Sequence, residues 1–251
     1  MKTSIITILT GMLVILCGSP LSAAERIYLM AGQSNMMGLA STENLSASYK
    51  STPANVQFFY KGSRRQLAQD KHFGPEVSFA HIMANTFPED QHIIVKFAAT
   101  GSHIRQWFPG EPFYEGMLRQ LGFSVPRKNP PIAAIFWMQG EGDSFNHERA
   151  STYAQNLTYF IYSLRKALNA PDTPFIMGEI NPVGRDFPEV PLVQQQQREV
   201  NASVDNTHLI PERGIKKIYD NIHFNADGMV EMGRRYAQHY IGLIRRNSGQ
   251  H

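Results

Sequence analysis

Five short apolar runs punctuate the chain, at Arg26 to Met30, Val56 to Tyr60, Ile93 to Ala99, Ile132 to Met138 and Phe175 to Ile180, each bounded by turn-forming residues. They lack clean polar alternation, as expected of strands covered on both faces of a parallel sheet. Between them the apolar spacing changes to three and four. Val77, Ala80, Ala84 and Phe87 fall on one helical face, as do Tyr153, Leu157, Phe160, Ile161, Leu164 and Leu168. A third amphipathic stretch, from Ala226 onward, aligns Met229, Met232, Tyr236, Tyr240 and Ile244. The order strand, helix, strand predicts a three-layer α/β/α sandwich of right-handed crossovers around a parallel five-stranded sheet.

Stretches rich in Gly, Pro and polar residues at Leu39 to Asn55, Lys61 to Pro75, Ser102 to Phe113 and Asn181 to Pro191 read as loops and as candidate walls of a cleft. Gln194 to Gln197 reads as an exposed helix turn. Ligands of open parallel sheets bind beyond the carboxyl ends of the strands, and Ser34, Gly101, Gln139 and Glu141 each follow an expected strand directly.

At 251 residues the chain suits one sizeable domain, expected over residues 25–251. Residues 1–24 read as a secretory signal: Lys2 at the head, an apolar centre from Ile5 to Cys17, then Ser22-Ala-Ala24 with small residues at the cleavage positions. The apolar run is broken by Thr7, Thr10 and Gly11 and is short against the ~20 residues that span a bilayer, so no membrane association is expected after cleavage. Bulky Leu16 before Cys17 weighs against lipidation. Cys17 is the only cysteine, so the processed chain would have no disulfide and no Cys-type nucleophile or zinc site. That composition fits a bacterial periplasm or exterior. A formal charge of +3 with dispersed basic residues gives no support for a nucleic-acid partner. Nothing in the sequence encodes an oligomeric state.

The chemistry centres on Ser34, which ends the run Ile27-Tyr-Leu-Met-Ala-Gly-Gln-Ser34 where a strand gives way to small and polar residues. A serine hydroxyl needs a base to become a nucleophile, and histidine suits that role because its ordinary pKa lies near neutrality. His223 is the candidate base, and Asp220, three residues earlier, is the candidate that fixes its tautomer and stabilises the imidazolium. A plain turn residue is the rival reading of Asp220. The oxyanion of acyl transfer needs donors placed for its charge. Three are available: the backbone N–H of Ser34, that of Gly101 in Ala98-Ala-Thr-Gly-Ser102, and the side-chain amide of Gln139 in Trp137-Met-Gln-Gly-Glu-Gly-Asp143. Gly101 is also readable as a simple strand-exit turn. Gln33 and Asn35, which flank the serine, together with Glu141 and Trp107, are candidates for substrate binding or support of the site. Trp107 would either stack on a sugar face or pack in the core. For Glu141 the readings are support of the loop carrying Gln139, a sugar contact, or a second acid near His223. Paired acids would otherwise suggest a glycosidase. No His-Glu-x-x-His occurs among the nine histidines, so neither a metal nor an organic cofactor is expected.

Ala31-Gly-Gln-Ser-Asn-Met-Met-Gly38, Gly74-Pro-Glu-Val-Ser-Phe79, Thr100-Gly-Ser102, Trp137 to Asp143 and Asp220-Asn-Ile-His-Phe224 resemble, in order, the motifs of SGNH hydrolases in the branch of sialate O-acetylesterases and carbohydrate esterase family 6. The resemblance implies a flavodoxin-like fold and removal of O-acetyl groups from carbohydrates. It assigns Ser34 as nucleophile, His223 as base, Asp220 as its orienter, and Ser34, Gly101 and Gln139 as oxyanion donors. The superfamily is named for an asparagine at the last of these positions, whereas this chain has glutamine, as that branch does. The expected protein is an exported acetylesterase acting on an acetylated carbohydrate. An esterase or lipase on a non-carbohydrate ester and a catalytically silent sugar-binding protein are the alternatives.

Overall fold

The computed structural model describes residues 23–247 and Gly249, so the expected signal segment and Cys17 lie outside the described residues apart from Ala23 and Ala24. In chain order the elements are β1 (Glu25–Gly32), α1 (Ser34–Met37), β2 (Ala40–Ser41), β3 (Val56–Tyr60), β4 (Ser63–Arg65), β5 (His72–Phe73), α2 (Glu76–Thr86) and β6 (Gln91–Ala98). There follow α3 (Pro112–Ser124), β7 (Ile132–Met138), α4 (His147–Ser151), α5 (Tyr153–Ala167), β8 (Phe175–Glu179), α6 (Val190–Ser203), β9 (Thr207–Pro211) and α7 (Ala226–Asn247). The main sheet runs β4-β3-β6-β1-β7-β8-β9, parallel except for β4.

The five apolar runs form the contiguous centre of this sheet, but it has seven strands, not five. Both additions are edge strands, which need to satisfy only one neighbour and carry weak apolar signals. β4 is wholly polar and is made a strand by its turn: Lys61 and Gly62 both have positive φ, 52° and 72°, as a two-residue hairpin loop of type I′ requires. In β9 the run is disguised by Thr207, His208 and Pro211.

Alternation along β1 sorts the core into two layers. Ile27, Leu29 and Ala31 pack with residues of α3, α5 and α6 on one face, and Tyr28 and Met30 pack with residues of α2 and α7 on the other. Helix α3 begins at Pro112, whose fixed φ suits a first helical turn, and buries Tyr114, Met117 and Leu121. The glutamine tract is helical within α6 but only partly exposed. Gln197 is fully buried, its Oε1 accepting from the Ile180 N–H at 2.9 Å and its Nε2 donating to the Gly178 carbonyl at 3.0 Å. Gln194 and Gln196 hold the Ile180 carbonyl and the Ala154 N–H, so the tract staples α6 to β8 and α5. Among the described residues no helix is long and apolar enough to cross a membrane.

Candidate active site

The carboxyl ends of β1, β6 and β7 converge because these strands are neighbours in the sheet. Ser34 leaves β1 through Gln33, whose N–H is held by the Met138 carbonyl at 2.8 Å, and opens the single turn α1. The segment bearing His223 follows β9 and returns across this edge, with Lys217 bridged to Phe224 and a reversal at Asn221, whose φ is 59°.

The structure brings Ser34, His223 and Asp220 into one hydrogen-bonded chain. His223 Nε2 lies 2.9 Å from Ser34 Oγ, and Nδ1 lies 2.6 Å from Asp220 Oδ2. The other Asp220 oxygen accepts from the N–H groups of Ile222 and His223 at 2.8 and 2.9 Å, so the acid both closes the turn and faces the ring. Burial opposes its charge, but these N–H donors and the imidazole outweigh it and hold Asp220 below the ordinary carboxylate range. The turn bonds and the imidazole contact, read as rivals in the sequence, coexist in one side chain.

Asn35 holds the histidine segment from the far side. Its Nδ2 donates to the Ile222 carbonyl at 3.2 Å and to Glu141 Oε1 at 3.0 Å, while its Oδ1 accepts from the Phe224 N–H at 3.1 Å. The residues on either side of His223 are therefore clasped by the residue next to Ser34. Glu141 supports this clasp from its buried position, and burial pushes its carboxyl above the usual range.

The N–H groups of Ser34 and Gly101 donate to no acceptor among the described residues, which leaves both free for an oxyanion. Gly101 has φ 66°, a left-handed turn that favours glycine. Gln139 differs from the expectation for a third donor. It is completely buried, and its Nε2 is committed to the Ser102 carbonyl at 2.9 Å and to Asp143 Oδ2 at 2.6 Å, while Tyr153 donates to its oxygen. Asp143 in turn accepts from the Ile104 N–H at 3.0 Å, so Gln139 and Asp143 together fix the loop carrying Gly101. Both hydrogens of this amide are therefore engaged within the protein.

Trp107 is likewise a core residue. It is 0% exposed, meets Trp137 edge-on at 5.0 Å, and donates Nε1 to Ser102 Oγ, so it offers no face to a sugar. Glu141 and Asp143 are 2% and 1% exposed and bonded inward, not arrayed on opposite sides of a cleft as a glycosidase pair would be.

Sequence reasoning missed the partnership of Glu76 and Lys96. Both are buried and lie 2.8 Å apart, and Lys96 Nζ also donates to the Met37 carbonyl at the end of α1. A lysine in an otherwise apolar strand was the available signal, since a buried charge demands a partner.

An α/β/α sandwich with a serine, a histidine and an acid bonded in series at the carboxyl edge of the sheet is the layout of a hydrolase of the esterase class. The chain belongs to the family described as carbohydrate esterase, sialic acid-specific acetylesterase, matched over residues 24–242. It is 29% identical over 171 residues to a probable carbohydrate esterase of Arabidopsis thaliana, a match spanning 67% of this chain and 63% of that relative's length. The X-ray structure of an Arabidopsis thaliana protein superposes with a TM-score of 0.77 at 22% identity, covering 86% of this chain and 98% of the other. The crystal structure of NanS gives 0.71 at 13% identity, over 90% and 99%. A carbohydrate acetylesterase from Xanthomonas citri gives 0.66 at 16%, over 84% of this chain and 55% of that one. These similarities carry the fold.

Proposed function

We propose that this protein is a serine esterase that removes O-acetyl groups from carbohydrates through an acyl-enzyme. The observation that carries the reading is the unbroken chain from Ser34 Oγ through His223 to Asp220. Ser34 attacks the acetyl carbonyl as His223 Nε2 takes its proton, and the N–H groups of Ser34 and Gly101 bind the oxyanion. The sugar alcohol departs as His223 returns the proton. Water, activated by the same nitrogen, then attacks the acyl-enzyme and frees acetate and Ser34. Family membership supports acetylated carbohydrate as the substrate class. The expected N-terminal signal supports action outside the cytoplasm by one esterase domain.

Purified protein should release acetate from acetylated glycans and hydrolyse p-nitrophenyl acetate. Ser34→Ala should lower kcat by roughly 10⁶-fold, the scale seen when another serine hydrolase loses its nucleophile, with unfolding behaviour retained. Undiminished turnover in that variant would remove Ser34 from the mechanism. Cleavage of small esters with no acetate from any glycan would move the substrate away from carbohydrate.

A further inference from the structure

We propose that the side-chain donor of the oxyanion hole is Gln33, the residue before the nucleophile; the inference rests on the serine-esterase reading above.

Gln33 Oε1 accepts from two backbone donors, the N–H groups of Gly140 and Gly142, each at 3.3 Å. Two donors on one atom fix which end of the amide is oxygen, so the nitrogen is turned the other way. That nitrogen donates to no group among the described residues and is not sealed from solvent, although the residue as a whole is only 3% exposed. An almost fully buried amide normally spends its N–H groups within the protein. Here they remain unspent beside Ser34, where charge develops during acyl transfer.

The surroundings put this amide next to the other donors. Gly142, which grips Gln33 Oε1, packs so closely on the loop of Gly101 that an added Cβ would lie 2.2 Å from the Ser102 carbonyl oxygen and 3.3 Å from that of Gly101. Gln33 is thus joined to the Ser34 N–H by a peptide bond and, through Gly142, to the loop that presents the Gly101 N–H. Its oxygen is locked at two points, so the donor is oriented before substrate arrives, as electrostatic stabilisation of a transition state requires. Gln139, the residue that the sequence pattern favoured, has both amide hydrogens committed to Ser102 and Asp143.

Gln33→Glu keeps an oxygen for Gly140 and Gly142 but removes the N–H groups and adds a negative charge that itself disfavours an oxyanion. Gln33→Met, which removes the donor without adding charge, is therefore measured beside it, and a fall common to both variants reports the lost donor. With p-nitrophenyl acetate, kcat should fall by about 100-fold or more while KM stays within about twofold, the loss typical of one oxyanion donor. Affinity for an alkylboronic acid that mimics the tetrahedral state should fall by a similar factor, because transition-state mimics report interactions absent from the ground state. A Gln33→Glu variant that turns over within about threefold of the parent, a change below a single donor's worth, would overturn the proposal.

If that variant does not fold, the unsubstituted protein decides. In a crystal structure of its methylphosphonate adduct, Gln33 Nε2 should lie about 2.7–3.1 Å from the phosphonyl oxygen. A separation beyond about 4 Å, outside hydrogen-bond range, would overturn the assignment to Gln33 alone. Failure of the phosphonate to label Ser34 would overturn the serine-esterase reading, and this proposal with it.

Discussion

Asn35→Ala is the sharpest probe of how the site is held together. Asn35 is 1% exposed and makes three hydrogen bonds, to Glu141, the Ile222 carbonyl and the Phe224 N–H. The Ile222 carbonyl belongs to a half-exposed residue and can recruit water, but Phe224 and Glu141 are buried. Truncation thus strands one buried N–H and one buried carboxyl oxygen, at about 1–3 kcal/mol each. The expected loss of stability is about 2–6 kcal/mol, measured by urea unfolding. The catalytic effect follows from position: His223 lies between the two residues released, and a displacement of about 1 Å can cost about 100-fold in rate. In kinetics, kcat should fall on that scale with little change in KM. Asn35→Asp should do no better, since it preserves the acceptor for Phe224 but turns a second carboxyl toward Glu141. Stability within about 0.5 kcal/mol of the parent, the range of an inconsequential surface change, together with undiminished kcat, would refute the clasp.

Lys96→Met should cost about 3–5 kcal/mol, because it leaves Glu76 buried and uncompensated, whereas adding Glu76→Leu should return much of that loss. A double-mutant cycle in urea measures the coupling, and additive single changes would contradict it. Burial pushes Asp143 up to about 7 from an ordinary 3.8, against the pull of its Gln139 and Ile104 donors. Between those two values the folded chain binds the proton that the unfolded chain has released, so Asp143 makes stability fall as pH rises through that window and stay level above it. Asp143→Asn should flatten this slope, and a difference between variant and parent that is independent of pH would refute the assignment. Trp107→Ala should lower stability by about 3–5 kcal/mol as a core truncation. A variant of unchanged stability with a raised KM for acetylated glycan would restore the sugar-stacking role.

The centre of the sheet was legible because buried parallel strands are continuous apolar runs, and β3 and β7 begin and end where those runs do. Its edges were not: β4 consists of Ser63, Arg64 and Arg65, and its pairing comes from the turn at Lys61-Gly62. Helix α6 was obscured by four consecutive glutamines, whose role appears only when Ile180 and Gly178 supply partners from another element. At the site, residue type and spacing pointed to Ser34, His223 and Asp220, which the fold brings together. Spacing could not decide which of two amides, Gln33 or Gln139, keeps its hydrogens free, because both follow strands in similar settings. That outcome depends on whether Ser102 and Asp143 or the Gly140 and Gly142 N–H groups lie alongside, and those contacts exist only after folding.

The same contacts explain why so much polarity is buried at one edge of an otherwise apolar sheet. Every second residue from Gln33 ties the turn of Ser34 to a different element: Gln33 to Gly140 and Gly142 beyond β7, Asn35 to the segment of His223, and the Met37 carbonyl to Lys96 on β6. A short turn of four residues has little intrinsic stability, so its geometry has to be imposed from outside. Backbone-to-backbone bonds alone would fix its path but not the aim of the hydroxyl. Buried amides and a buried ion pair fix both, at the cost of desolvating groups such as Glu141 and Lys96. The protein thus gives up stability at this edge to hold the Ser34 hydroxyl oriented toward His223, and on the proposed mechanism variants that truncate one partner of the buried charges should lose stability and turnover together.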